Sequence, residues 1–273
     1  MDNGISIHSL ASGSSANSML IRRQGTTGLI DAGLPIRQLT ASLLALEVHP
    51  SYIDFVFITH EHGDHIRSLP QLRRLGATII TSPGTARALG MSGAEYIPAL
   101  AWKTRSIAGL DFTPLPVSHD AAEAMGVMIS GGGATVTILT DLGCVTPNLV
   151  EPLCAAGTVV IESNHDVEML RFGPYPHHLK QRVLSKRGHL SNADCGIAMR
   201  AVLDRSERTR MIWLAHLSDT NNRPQTATAT VSGLISGIPV AALPRHDTVD
   251  LMRVPEMAVV NPTAFQRRLL IDS

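Results

Sequence analysis

The segment Thr59-His60-Glu61-His62-Gly63-Asp64-His65 sets the imidazoles of His60, His62 and His65 beside the carboxylate of Asp64. Imidazole nitrogen and carboxylate oxygen are ligands for zinc, manganese or iron rather than for magnesium or calcium alone. A polar loop that merely happens to hold histidines would rarely concentrate them this way. The helical His-Glu-x-x-His arrangement is excluded, because position 64 is Asp. Three further ligand types each follow an apolar strand-like run: His119 after Thr113–Val117, Asp141 after Thr135–Leu139 and His216 after Met211–Ala215. The far ends of strands are where sites of α/β sheets gather.

The set His60, His62, Asp64, His65, His119, Asp141 and His216 is too large for one tetrahedral ion and suits two divalent ions sharing a carboxylate. Such a pair lowers the pKa of a bridging water from about 15.7 to near neutrality and so supplies hydroxide. His189, in Gly188-His189-Leu190-Ser191-Asn192, precedes an expected helix N-terminus and is the histidine placed to stabilise the developing charge and protonate the leaving oxygen. Glu162 or Asp166 would orient it. The catalytic group is therefore read as His189, Asp64 and Glu162. This constellation is hydrolytic, and no serine or cysteine nucleophile is paired with a base.

The elements that must carry these groups follow from periodicity. Phe55-Val56-Phe57-Ile58 reads as a buried strand delivering the 60–65 loop. Ile5–Leu10, Met19–Arg22 and Gly28–Ile30 read as strands. Pro35 opens a helix with Leu39, Leu43, Leu44 and Leu46 on one stripe. Ile66–Leu75 is expected as a helix with Leu69, Leu72 and Leu75 inward, followed by strand Ala77–Thr81 and a helix opened by Pro83. Short strands then dominate: Trp102–Ile107, Asp111–Val117, Met125–Ile129 and Ala134–Leu139, the last two joined by a Gly131-Gly132-Gly133 hairpin. From Asn148 the α/β rhythm returns, with strand Thr158–Glu162, a helix Ala193–Leu203 capped by Ser191, a helix Gln225–Ile235 and a strand Val240–Leu243. Both halves run from strands into α/β, a hint of pseudo-duplication.

Two stretches could meet a substrate. Ser12-Gly13-Ser14-Ser15-Ala16-Asn17-Ser18 is either a phosphate cradle or a plain turn, and it lacks the Gly-Lys ending of a Walker loop. Arg171–Arg187 holds Arg171, Lys180, Arg182, Lys186 and Arg187 with no acidic residue; it is either a solvated helix face or a phosphate-tracking patch. Ser14, Asn17, His165, Lys180 and Arg182 are the candidate substrate-binding residues. Asp31, at a strand end, either supports the site or caps a turn.

Lys plus Arg equals Asp plus Glu at 23 each, so any nucleic-acid footprint must be local. Three cysteines without a C-x-x-C spacing fit a reducing compartment. The start of the chain shows no signal-peptide pattern, and no apolar run is long enough to span a bilayer, so a cytoplasmic enzyme with no membrane partner is expected. The length is read as one domain, residues 1–273, and a homo-oligomer is left open.

On these residues the chain resembles the metallo-β-lactamase superfamily. His60-x-His62-x-Asp64-His65, with His119, Asp141 and His216 in order, carries the resemblance. Within the superfamily, the Ser12–Ser18 segment, Leu29-Ile30-Asp31-Ala32-Gly33, Thr140-Asp141-Leu142-Gly143, Glu162-Ser163-Asn164-His165-Asp166, Gly188–Asn192, Leu214–Ser218, Asn221-Asn222 and Pro224 are similar to the YycJ/WalJ exonuclease group. The resemblance implies a four-layer αββα sandwich and a metal-dependent 5′-to-3′ exonuclease acting on DNA rather than RNA. It also implies that His60, His62 and His119 hold one ion, that Asp64, His65 and His216 hold the other, and that Asp141 bridges them. Asp141 to His189 is too short for the inserted domain of the RNase J type, and His119 to Asp141 too short for the arm of RNase Z. Hydrolysis of a small phosphodiester, thioester or lactone, and a non-catalytic metal-binding regulatory protein, remain the alternative readings.

Overall fold

The strand Phe55–Ile58 is buried at every position because it has apolar neighbours on both faces: Phe55 and Phe57 enter one core, Val56 and Ile58 another. That alternation sets the layering of the whole molecule. The computed structural model describes residues 4–107 and 109–253. In chain order the strands are β1 (Ser6–Ala11), β2 (Ser18–Arg23), β3 (Thr26–Ile30), β4 (Phe55–Ile58), β5 (Thr78–Thr81), β6 (Ile97–Pro98), β7 (Arg105–Ile107), β8 (Leu110–Pro116), β9 (Met125–Gly131), β10 (Ala134–Leu139), β11 (Thr158–Glu162), β12 (Met211–Ala215), β13 (Val240–Ala242) and β14 (Val249–Asp250). The helices are α1 (Ile36–Ala45), α2 (Gly63–Ile66), α3 (Leu69–Arg74), α4 (Pro83–Ala88), α5 (Pro147–Ala155), α6 (Val167–Phe172), α7 (His177–Val183), α8 (Asn192–Leu203) and α9 (Pro224–Leu234).

The strands form two sheets, ordered β14-β1-β2-β3-β4-β5-β6 and β13-β12-β11-β10-β9-β8-β7. In each, an antiparallel half joined by hairpins gives way to a parallel half joined by helices: β1-β2-β3 then β3 to β6, and β7 to β10 then β10 to β13. This repeated order is the pseudo-duplication read in the sequence, and β14 crosses back to pair with β1. A central core of Ile7, Ile21, Phe57, Phe112, Ile138 and Trp213 joins the two sheets. Outer cores sit under α1 and α3 on one side and under α5, α8 and α9 on the other. The result is the αββα sandwich, an α/β fold.

Three expectations need correction. The helix predicted over Ile66–Leu75 is broken: Ser68 leaves helical geometry (φ −96°, ψ 0°), and α3 starts at Leu69 with Pro70 in its first turn, where a missing N–H is tolerated. Leu75 consequently falls at the end of α3 and is 47% exposed rather than inward. The strand predicted from Trp102 begins only at Arg105, because Trp102 adopts a left-handed conformation (φ 62°) in the preceding turn. The basic stretch is no continuous helix face: Gly173-Pro174-Tyr175-Pro176 separates α6 from α7. The glycine hairpin stands as expected, with Gly132 and Gly133 at φ +57° and +81° between β9 and β10.

Candidate metal centre

Parallel register places the functional strand ends side by side. Leu139 pairs with Ile161 and Glu162 with Ala215, so Asp141, Glu162 and His216 emerge at one edge. The facing sheet delivers Asp31 after β3 and the 60–65 loop after β4. Asp31, Asp141 and His216 all take positive φ (61°, 53° and 55°). Asp and His tolerate this region better than branched residues, and strained backbone is a recurrent means of turning a strand-end side chain into a cleft. The 60–65 loop is clamped from beneath: Asn17 N–H donates to Asp64 O (2.9 Å) and Ala32 N–H to His65 O (2.7 Å). A side chain at Gly33 would lie 1.6 Å from Asp64 O, so this close approach requires glycine.

All seven predicted ligands converge. His60, His62 and His119 bring ligand atoms within 4.8 Å of one another, as do Asp64, His65 and His216, and Asp141 joins His60 and His65. The histidines are oriented from behind. His119 Nδ1 donates to Gly188 O (3.1 Å), leaving Nε2 toward His62 Nδ1 (3.3 Å). His65 Nδ1 donates to Asp31 Oδ2 (2.7 Å), which turns its Nε2 toward Asp141 Oδ2 (3.1 Å). His216 Nδ1 donates to Glu162 Oε1 (2.7 Å) and faces Asp141 and Asp64 with Nε2. Backing a histidine by a carboxylate or carbonyl selects the tautomer whose other nitrogen can ligate. Asp31 thus supports the site, and Thr59 holds it there by donating through N–H and Oγ1.

The residues fit a divalent metal. His60 Nε2, Asp141 Oδ2 and His216 Nε2 are buried without a hydrogen-bond partner, although Asp141 lies within ion-pair distance of His65 and His216. Proximity without hydrogen-bond geometry, among lone pairs aimed at one point, is what a cation resolves. Charge balance agrees. Burial lowers the pKa of His60, keeping it neutral. Burial raises the carboxyl pKa of Asp141, but the surrounding histidines outweigh it and hold the group well below its usual range. His216 is pushed up to about 10, its burial outweighed by Asp141, Asp64 and Glu162.

Glu162 is fully buried and accepts four N–H groups: His189 Nδ1 (2.8 Å) and His216 Nδ1 (2.7 Å) on Oε1, Leu142 N (2.8 Å) and Leu190 N (3.1 Å) on Oε2. Its oxygens are saturated, so although they lie near Asp141, His189 and His216 they orient histidines rather than ligate. Asp166, the other candidate orienter, instead caps α6 by accepting from Met169 N (2.9 Å). His189 is 20% exposed at its side chain. Burial lowers its pKa, but the charge and hydrogen bond of Glu162 prevail and raise it.

The predicted substrate contacts scatter. Ser14 is exposed in the β1–β2 loop. Asn17 is 3% exposed, and its amide donates to Gly13 O (3.0 Å) and Asp64 Oδ2 (3.2 Å), so it positions Asp64. His165 is 1% exposed with neither ring nitrogen bonded, and burial pulls it down to about 4. A substrate contact needs exposure that these two residues lack. Lys180 Nζ donates to Arg171 O (2.7 Å), tying α7 to α6, while Arg182 Nε pairs with Asp120 Oδ2 (2.6 Å) beside the centre. Sequence reasoning missed Asp120, whose only signal was adjacency to His119, and Glu61, whose carboxylate accepts from Ala122 N (2.8 Å) and ties two site loops together.

An αββα sandwich with a histidine–carboxylate cluster at the strand ends of both sheets defines a metal-dependent hydrolase that binds divalent metal. The family described as the beta-lactamase superfamily domain matches residues 26–216, and the chain belongs to it. It is similar to the exodeoxyribonuclease WalJ of Streptococcus pneumoniae serotype 2 (36% identical, 81% of this chain and 85% of that protein). It is also similar to the exodeoxyribonuclease YycJ of Bacillus anthracis (32%, covering 90% and 96%). Among solved structures, the metallo-beta-lactamase fold protein YhfI from Bacillus subtilis superposes with a TM-score of 0.71 at 15% identity, over 90% of this chain and 98% of that one. Among the described residues no helix is long and apolar enough to cross a membrane.

Proposed function

We propose that the chain is an exonuclease that hydrolyses phosphodiester bonds of DNA from a 5′ end, using two divalent ions drawn from zinc, manganese or iron. The observation that carries this reading is the arrangement of two ligand groups around Asp141, with His189 at their open edge. The exodeoxyribonuclease names of its relatives support it. His60, His62 and His119 would hold one ion, Asp64, His65 and His216 the other, with Asp141 between them. Ions bound there supply an activated water and offset the negative charge of the phosphoryl group.

The chain's own residues supply the rest. His189 has Nδ1–H directed at Glu162, so Nε2 faces outward, and the raised pKa keeps a proton available there. That proton stabilises a phosphoryl oxygen or passes to the departing oxygen. Asp31, Glu162 and the Gly188 carbonyl fix the imidazole planes, so the ligand set is organised before substrate arrives. Arg182, paired with Asp120, sets a guanidinium at the rim.

Digestion of end-labelled single- and double-stranded DNA and RNA, with manganese or zinc added, tests the reading. Progressive release of nucleotides from the 5′ end of DNA is expected. Purified, metal-loaded protein that cuts no nucleic acid would overturn it.

A further inference from the structure

Beside the metal centre lies an open cavity of about 370 Å³, walled by Ala101, Val117, Ala122 and Met125 and bounded by His119 and Arg187. Its size falls within the roughly 300–1,000 Å³ of small-ligand sites, enough for one nucleotide and far too small for a duplex. The chemistry of its walls is two-sided. One side is apolar, formed by Ala101, Val117, Ala122 and Met125. The other carries a guanidinium that is already fixed: Arg187 Nε and Nη2 donate to His119 O at 3.3 and 3.2 Å. Arg187 is therefore a pre-positioned cation on the backbone of a candidate metal ligand.

The acidic group in the wall does not cancel it. Glu123 turns its carboxylate to Gly84 N–H (2.6 Å) at the start of α4. Leu100 and Trp102, the chain neighbours of Ala101, are 49% and 42% exposed. Of the two tryptophans in the chain, the other, Trp213, is buried in the central core. An apolar wall, an anchored guanidinium and a candidate metal cluster in contact through His119 match the three parts of a nucleotide: base, phosphate and the bond under attack.

We infer that this cavity seats the nucleotide adjoining the scissile phosphate, with the base against the Ala101, Val117, Ala122 and Met125 wall and a phosphate oxygen on Arg187. The inference rests on the nuclease reading above and adds to it a binding site for a single nucleotide unit. Such a pocket measures the strand one residue at a time, and paired bases would not fit it. The terminal nucleotide must therefore be unstacked before it is cut.

The test is equilibrium titration of the full-length, metal-loaded protein with deoxyadenosine 5′-monophosphate and, separately, with inorganic phosphate, with metal content measured alongside. Ala122 is exposed, and its backbone N–H rather than its methyl group holds Glu61, so Ala122→Trp fills the cavity without touching that bond. Ala101→Trp fills it from a second position on the lining. Wild type should bind the nucleotide at least tenfold more tightly than phosphate, about 1.4 kcal/mol. Both tryptophan variants should lose that advantage while keeping phosphate affinity and metal, and Arg187→Gln should weaken both ligands. A nucleotide no tighter than phosphate, or unchanged in both tryptophan variants, overturns the assignment. If the wild type digests DNA while the tryptophan variants bind the nucleotide normally, the cavity assignment falls and the nuclease reading stands. If the titrations behave as expected while no nucleic acid is cut, the nuclease reading falls and the cavity is a mononucleotide site.

Discussion

Glu162→Gln is the substitution that asks most of the site. Glu162 is an acceptor only, and four N–H groups point at it. Glutamine has the same shape but one oxygen and one NH2 group. If the oxygen keeps the two histidines, the NH2 confronts the N–H groups of Leu142 and Leu190, leaving two buried backbone donors unpaired. At about 1–3 kcal/mol per unsatisfied group, that costs roughly 2–6 kcal/mol of stability. If the amide turns the other way, His189 and His216 must accept at Nδ1 and carry their proton on Nε2, and His216 can then no longer ligate. Loss of such a backing group typically lowers metal affinity about 10–100-fold. Either orientation has a price, and the two are separable by experiment. Urea unfolding of the metal-free protein reads the first, and chelator competition for the metal reads the second. A variant that matches wild type in both unfolding midpoint and metal affinity would refute the claim that Glu162 works by accepting four hydrogen bonds.

The other predictions concern the same centre. His189→Ala should lower turnover on DNA about 10²–10⁴-fold while metal content stays at the wild-type level; unchanged turnover would remove its role as a proton donor. Asp141→Ala should lose one or both ions, which elemental analysis reads directly, and full occupancy would contradict a shared carboxylate. In the metal-free protein, His216 and Glu162 each tie stability to pH. His216, raised from 6.5 to about 10, contributes stability that is complete below 6.5 and lost as pH climbs to about 10. Glu162, lowered from 4.5 to about 2, contributes stability present above 4.5 and lost as pH falls to about 2. These two contributions are both complete between 4.5 and 6.5, whereas the lowered His60, His119 and His165 oppose folding as pH falls below 6.5, and metal affinity weakens there as histidines protonate. Metal-free His216→Asn should lose more stability relative to wild type at about pH 5.5 than at about pH 8.5, and an equal loss at both would contradict this linkage.

By itself the sequence determined what depends on neighbours along the chain. Ligand density at 60–65 is a local fact, as is the position of His119, Asp141 and His216 just past apolar strands, and all seven predicted ligands do meet. Alternation in Phe55–Ile58 and the Gly132-Gly133 turn were legible because strand period and positive φ are properties of a few consecutive residues. Tertiary structure decided what depends on register between strands far apart in the chain. Only the pairing of Glu162 with Ala215 puts its carboxylate under both His189 and His216, and only the clamp on the 60–65 loop turns Asn17 from a surface residue into a support for Asp64. The sequence marks His165, Lys180 and Arg182 alike as polar or basic. The fold buries the first, ties the second to Arg171 and sets the third beside the centre through Asp120. Residue type fixes which bonds a side chain can make; its partner and its exposure follow from packing between segments tens of residues apart.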